Sequence, residues 1–151
     1  KKKIYIKFLQ NYKKSLAIKK NINTLLEFGN LYLEIKKITL AIKIYKELLL
    51  LDNKNEFAIN NIAYCYMLRN NYVDSWKYIN KAIRLNPDNE YLHFNLGNLY
   101  KRFGKLNLAL KSYDKAITLD SNNVNFKYNK SYVLLKKSYI KKVGIYMIIA
   151  Y

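Results

Sequence analysis

Residues 90–123 read EYLHFNLGNLYKRFGKLNLALKSYDKAITLDSNN. Two apolar stripes run through this stretch: Leu92, Leu96, Leu99, Tyr100 and Phe103, then Leu106, Ala109, Leu110, Tyr113, Ala116 and Ile117. Apolar residues recurring every three or four positions line one face of a helix, so the stretch predicts two helices. Gly104 separates them, and glycine readily takes the left-handed conformation that ends a helix. Asp120 to Asn123 form a polar cluster that stops the second helix and offers capping oxygens to whatever follows.

The same reading recurs upstream at a fixed shift. Phe28, Gly29, Tyr32 and Ala41 return as Ile62, Ala63, Tyr66 and Ser75, then as Leu96, Gly97, Tyr100 and Ala109, each 34 residues further on. A period in the range of roughly 20 to 50 residues marks stacked repeats, because one unit cannot bury its apolar face alone. Asn70 stands where Gly104 does, while Lys36 and Ser138 suit a helix end less well. Asp52 to Asn55 and Asn86 to Asn89, which include Pro87, repeat the polar cluster. Gly29, Ala63, Gly97 and Ser131 form one column of small residues, and Ala41, Ser75 and Ala109 form a facing one. A third column is Ala82, Ala116 and Ala150, with Leu48 as the exception. Small side chains at such positions let two helices cross closely.

These columns, with Tyr32, Tyr66 and Tyr100 and the Leu85, Asn86, Pro87 ending, resemble the tetratricopeptide repeat (TPR) family. The resemblance implies an all-α, right-handed superhelical solenoid of antiparallel helix pairs. Residues 22–55, 56–89 and 90–123 match as full repeats. Residues 124–151 look like a weaker fourth copy, with Ser131, Ile140 and Ala150 fitting but Lys127 and Lys130 where earlier copies are apolar. That copy is expected to be a polar-faced cap, the alternative being a rotated helix. Phe8, Tyr12, Ser15 and Ile18 within residues 1–21 read as the second helix of a preceding pair. The chain opens without Met and stops in mid-pattern, so it is expected to be one domain cut from a longer protein.

Net charge is +18, which suits an anionic partner such as nucleic acid, a membrane surface or an acidic peptide. The excess is almost all lysine and accompanies abundant Asn, Ile and Tyr, residues of A/T-rich codons, so coding bias competes as its cause. Cys65 is the single cysteine, which excludes a disulfide framework within the chain and is compatible with a reducing, cytoplasmic setting. Lys1 to Lys3 precede Ile4 to Leu9, but Lys7 interrupts that run and it reads poorly as a signal peptide. Val143 to Tyr151 is apolar yet far shorter than the roughly 20 residues that span a bilayer. No membrane segment is expected.

Catalytic constellations are scarce. His93 is the single histidine, so His pairs and His-based metal triads are excluded. Cys65 shares a column with Leu31, Leu99 and Val133 and reads as a buried apolar residue, and His93 shares one with Leu25 and Ile59 and reads as a packing histidine. Four glycines supply no phosphate loop, and no carboxylate pair is spaced for acid/base work. Neither an enzyme nor a cofactor, metal or small-molecule substrate is expected.

The residues most suggestive of function fall on first helices, which in the family geometry line the concave groove. Asn61, Asn95 and Asn129 repeat with the period, and an Asn amide can pair with both the C=O and the N–H of an extended peptide. Asparagine ladders in similar protein O-linked N-acetylglucosamine transferases hold peptides this way. Glu27 breaks the ladder in the first repeat. Asn30, Tyr64, Asn98 and Tyr132 form a neighbouring column, with Tyr91 and Phe94 nearby, and rings beside amides suit peptide recognition. Lys101 and Arg102, with Lys136, turn one end basic, as if to steer an acidic segment. Chaperone-binding relatives use a clamp of Lys, Asn, Asn, Lys and Arg. Asn30 and Asn61 match it, but Leu26, Tyr91 and Asn95 replace its basic members, so that clamp is not expected.

The expected function is a scaffold or adaptor that binds an extended, acidic protein segment in the groove. The alternatives are RNA or another polyanion on the lysine-rich second helices, at Lys43, Lys77 and Lys111, or a TPR portion of a larger enzyme such as a glycosyltransferase.

Overall fold

The computed structural model describes residues 21–149, with side chains described through residue 143. Phe8, Tyr12, Ser15, Ile18 and Ala150 therefore lie outside the described residues. Seven helices and no strand occur among the described residues: α1 (Ile22–Glu34), α2 (Ile38–Leu51), α3 (Glu56–Leu68), α4 (Tyr72–Leu85), α5 (Glu90–Arg102), α6 (Leu106–Leu119) and α7 (Val124–Ile149).

Polar clusters start the helices as anticipated. The Asn21 side chain accepts from Thr24 N at 2.7 Å, Asn55 from Ala58 N at 3.1 Å, and Asn89 from Tyr91 N at 2.9 Å and Leu92 N at 3.3 Å. Each contact satisfies backbone donors that a helix start leaves open. The ends of α1, α3 and α5 share one geometry. Lys36, Asn70 and Gly104 take φ of 60°, 58° and 72°. The next residue's N–H then reaches back to the carbonyl of Tyr32, Tyr66 or Tyr100 at 2.8, 2.9 and 2.9 Å. This backbone closure reverses the chain within three residues, so the two helices of each pair run antiparallel. Lys36 adopts the left-handed conformation despite its Cβ, a modest strain.

The chain divides within α3 into two compact units, Lys1–Ile62 and Ala63–Tyr151. In the first, Leu25, Phe28 and Gly29 of α1 are buried with Ala41, Ile42, Tyr45 and Leu48 of α2. A Cβ on Gly29 would run into the Tyr45 ring, which is why that position takes no side chain. In the second, Ala63, Met67, Ile79 and Leu99 form one core cluster, and Ala109, Tyr113 and Val133 form another. Burying each large side chain contributes on the order of 1.5–3 kcal/mol. Ser75, the polar member of its small column, is buried and donates from Oγ to the Ala63 carbonyl at 2.8 Å.

The last repeat differs from the three before it. α7 runs without a break through Ser138, the residue noted as a poor helix end, which has neither a glycine's conformational freedom nor a polar cluster after it. Its register is nonetheless that of α5. Phe126 and Val133 are buried, one period after Leu92 and Leu99, so the helix is not rotated. Lys130, one period after Leu96, is held by Asp114 at 2.6 Å. Ser131 is exposed, unlike Gly29, Ala63 and Gly97.

Candidate functional site

In the first unit, Tyr45 is fully buried, but its hydroxyl surfaces beside α1 and donates to Asn30 Oδ1 at 2.7 Å. Asn61 Nδ2 donates to the same Oδ1 at 3.0 Å and to the Tyr45 oxygen at 3.3 Å. Asn30 and Asn61, members of two different sequence columns, thus meet around one phenol.

The second unit repeats the motif two periods further along the sequence. Tyr113 of α6 is fully buried, and its hydroxyl donates to Asn98 Oδ1 on α5 at 2.8 Å. Burial pushes the Tyr113 phenol well above its usual pKa. Phe94 packs on the same ring with centroids 5.8 Å apart and on Phe126 of α7 at 4.8 Å, so it is a half-buried floor rather than a free contact. Tyr91 meets Phe126 edge-on at 5.6 Å and exposes about half of its surface.

Lys101 occupies the end of this surface. Its Nζ donates to Asn129 Oδ1 at 2.7 Å and lies 5.5 Å from the centroid of the exposed Tyr132 ring. Burial holds the Lys101 ammonium below its usual pKa, and the Arg102 and Lys136 charges lower it further. Among the described residues no carboxylate pairs with Lys101, Arg102 or Lys136. The α5–α7 surface therefore carries concentrated, unneutralised positive charge framed by rings and amides. Asn129 also donates to the Asn125 carbonyl at 3.0 Å, so its amide is largely committed within α7. Asn95 lies partly buried on α5 and Tyr64 is exposed on α3.

Tyr45 and Tyr113 were missed as site residues, Tyr113 having been read as part of an apolar stripe. A signal for them existed. Asn30 and Asn98 occupy one column and Tyr45 and Tyr113 another, and where the first column switches to Tyr64 the second switches to Ile79. The amide and the phenol alternate together.

Cys65 is buried, and burial pushes its thiol up to about 11, as befits a packing residue. His93 Nε2 lies 2.7 Å from the Pro87 carbonyl, a local tie between α5 and the turn before it. Among the described residues no three His, Cys, Asp or Glu side chains gather as a metal site, and no helix is long and apolar enough to cross a membrane.

Models of the tetratricopeptide repeat match residues 22–55, 58–89 and 91–123. A TPR repeat-containing protein of Methanocaldococcus jannaschii is 34% identical over 85 residues, covering 56% of this chain and 24% of the relative. The probable UDP-N-acetylglucosamine–peptide N-acetylglucosaminyltransferase SPINDLY of Arabidopsis thaliana is 30% identical over 100 residues, 66% of this chain and 11% of that protein. The chain thus spans a quarter or less of these two relatives. Among solved structures, MamA superposes with a TM-score of 0.79 at 22% identity, over 91% of this chain and 81% of that one. The first TPR of Spaghetti (RPAP3), bound to the HSP90 peptide SRMEEVD, superposes with a TM-score of 0.72 at 23% identity, over 78% of this chain and 93% of that one. Three matched copies, each folded as a close helix pair around its small-residue column, mean that the chain belongs to the tetratricopeptide repeat family and is a protein-interaction scaffold.

Proposed function

We propose that the α5–α7 surface binds an extended, acidic segment of a partner protein. The observation that carries this reading is Lys101, whose ammonium is fixed by Asn129 above the Tyr132 ring with no carboxylate to neutralise it. A charge held in place loses little side-chain entropy when it pairs, and its partial burial strengthens the attraction. Arg102 and Lys136 extend the positive field, Tyr91 and Tyr132 supply contact area, and Asn95 and Asn98 reach the peptide backbone. Asn129 acts by holding Lys101, and Phe94 by packing on Phe126, which meets Tyr91 edge-on. Asn30, Asn61 and Tyr64 belong to the same sequence columns. The RPAP3 domain, of the same fold, is solved with a peptide ending in acidic residues, which supports the mode of binding although the chaperone clamp's basic positions differ here.

Fluorescence anisotropy with a labelled acidic peptide pool, a charge-neutral pool and single-stranded RNA tests the reading at two salt concentrations. Preference for the acidic pool, weakened about fivefold or more by Lys101→Met, is the expected result. Binding of RNA alone, falling steeply with salt, indifferent to Lys101→Met and lost in Lys77→Ala/Lys111→Ala, would overturn it in favour of the lysine-bearing second helices.

A further inference from the structure

Lys101 stands in a column that is otherwise apolar, with Leu33, Met67 and Leu135 at the equivalent positions. Met67 is buried in the core cluster with Ala63, Ile79 and Leu99. A lysine at such a place gives up part of its hydration, a cost that an apolar residue avoids. A lysine serving only as cover would let its ammonium swing out to water. Here the ammonium is tied instead, to Asn129 Oδ1 at 2.7 Å and beside the Tyr132 ring. That bond uses one of its three N–H groups and leaves two for a ligand. The site forms between the neighbouring helices α5 and α7 and needs no further element to complete it.

Arg102 and Lys136 stand one period apart, at equivalent positions of α5 and α7, and both act on Lys101 as neighbouring like charges. Their column holds Glu34 and Leu68 in the earlier copies, so this cluster is local and does not follow from the lysine content of the chain. All ten Asp and Glu of the sequence lie among the described residues, and none pairs with the three cations. Converging cations favour a ligand in proportion to the charge it brings. A carboxylate, or a phosphodiester of RNA, brings one negative charge, whereas a phosphomonoester brings about −1.5 to −2 and three acceptor oxygens. A guanidinium such as that of Arg102 can donate parallel N–H groups to two of those oxygens. Resting on the segment-binding reading above, we propose that Lys101, Arg102 and Lys136 form a subsite for a phosphoserine or phosphothreonine within the acidic segment. Phosphorylation of the partner then switches on its capture.

The probes are labelled degenerate peptides rich in Asp and Glu, with the central residue fixed as serine, glutamate or phosphoserine, titrated with the full chain by anisotropy. The phosphoserine pool should bind about tenfold more tightly than the glutamate pool, which separates a dianion from a carboxylate at one position. Arg102→Gln and Lys136→Gln should each cut that advantage to about threefold or less, and the double variant should bring the two pools to similar affinity. Both substitutions fall at exposed positions, and an unchanged melting temperature confirms that the fold is kept. Equal binding of the phosphoserine and glutamate pools, with Lys101→Met still weakening both, overturns the phosphate subsite and leaves the acidic-segment reading standing. Failure of all three pools to bind overturns both. The subsite is equally overturned if Lys43→Gln/Lys111→Gln on the second helices removes the advantage as fully, since bulk charge would then be its source. So too if inorganic phosphate alone, or vesicles containing phosphatidic acid, engage the three cations as tightly as the phosphoserine pool, since free phosphate or a lipid headgroup would then be the ligand.

Discussion

Gly97→Ala is a substitution for which helix propensity and packing predict opposite signs. Alanine is favoured over glycine inside a helix by about 1 kcal/mol, so on propensity alone the variant is stabilised. The structure reverses that sign. The new methyl would stand 2.6 Å from Cδ1 and Cε1 of Tyr113 and 3.1 Å from its Cζ. The ring has no easy retreat, being fully buried and anchored through its hydroxyl to Asn98 at 2.8 Å. Overpacking of this kind costs about 1–3 kcal/mol, and disturbing the hydrogen bond adds about 1 kcal/mol. After the propensity gain the net loss is about 1–3 kcal/mol, a drop in Tm of roughly 2–12 °C for a chain of this size. Thermal unfolding followed by circular dichroism reads it directly. Gly97→Ala/Tyr113→Leu removes the obstructing ring, so the double variant should recover at least about 0.5 kcal/mol relative to additivity. A Gly97→Ala protein that melts at or above the parent temperature, or a strictly additive double variant, would refute the account.

Gly104→Ala has open space around its new Cβ but a φ of +72°, so it should cost about 1–2 kcal/mol through backbone strain alone and show no coupling to any neighbour, as a double-mutant cycle can check. Asn89→Ala leaves two backbone donors at the start of α5 without their cap and should lower stability by about 1 kcal/mol in urea unfolding. Burial raises the Cys65 thiol from 9.0 to about 11, so the folded state retains a proton that the unfolded state releases. Stability should therefore decline as pH climbs from 9 towards 11, and thiol reagents at pH 8 should react only as the protein unfolds.

Period and small-residue columns made the helix pairs legible before any coordinates, because close crossings tolerate little else at Gly29, Ala63 and Gly97. The turns were legible through Gly104 and Asn70, whereas Lys36 shows that a backbone closure shared by neighbouring repeats can impose a left-handed residue without help from its side chain. The end of the chain was read less well. Ser138 stands at the turn position of the repeat but suits a helix end poorly, and α7 continues through it. At the candidate site the sequence identified Asn30, Asn61 and Asn98 as amides on first helices but not their hydrogen bonds. Those bonds depend on phenols from second helices, and a column-by-column reading treats each helix separately. Lys101 was identified by charge, while its fixation by Asn129 and Tyr132 arises only when α5 and α7 lie side by side.

The two buried tyrosines also set the hydrogen-bonding sense of the surface above them. With Tyr113 donating into Oδ1 of Asn98, and Tyr45 into Oδ1 of Asn30, each carbonyl is occupied. The Asn98 amide is thereby left to present N–H groups outward. A chain passing over it meets a donor, beside the ammonium of Lys101 and the guanidinium of Arg102, which are donors too. Such a strip pairs with carbonyl and carboxylate oxygens and leaves the N–H edge of a strand unsatisfied. An extended chain turns successive carbonyls to opposite sides, so it can use the strip along only one edge, at alternate residues. In the proposed binding mode, the Tyr113 phenol thus favours one edge of a ligand at the α5–α7 surface without touching the ligand itself.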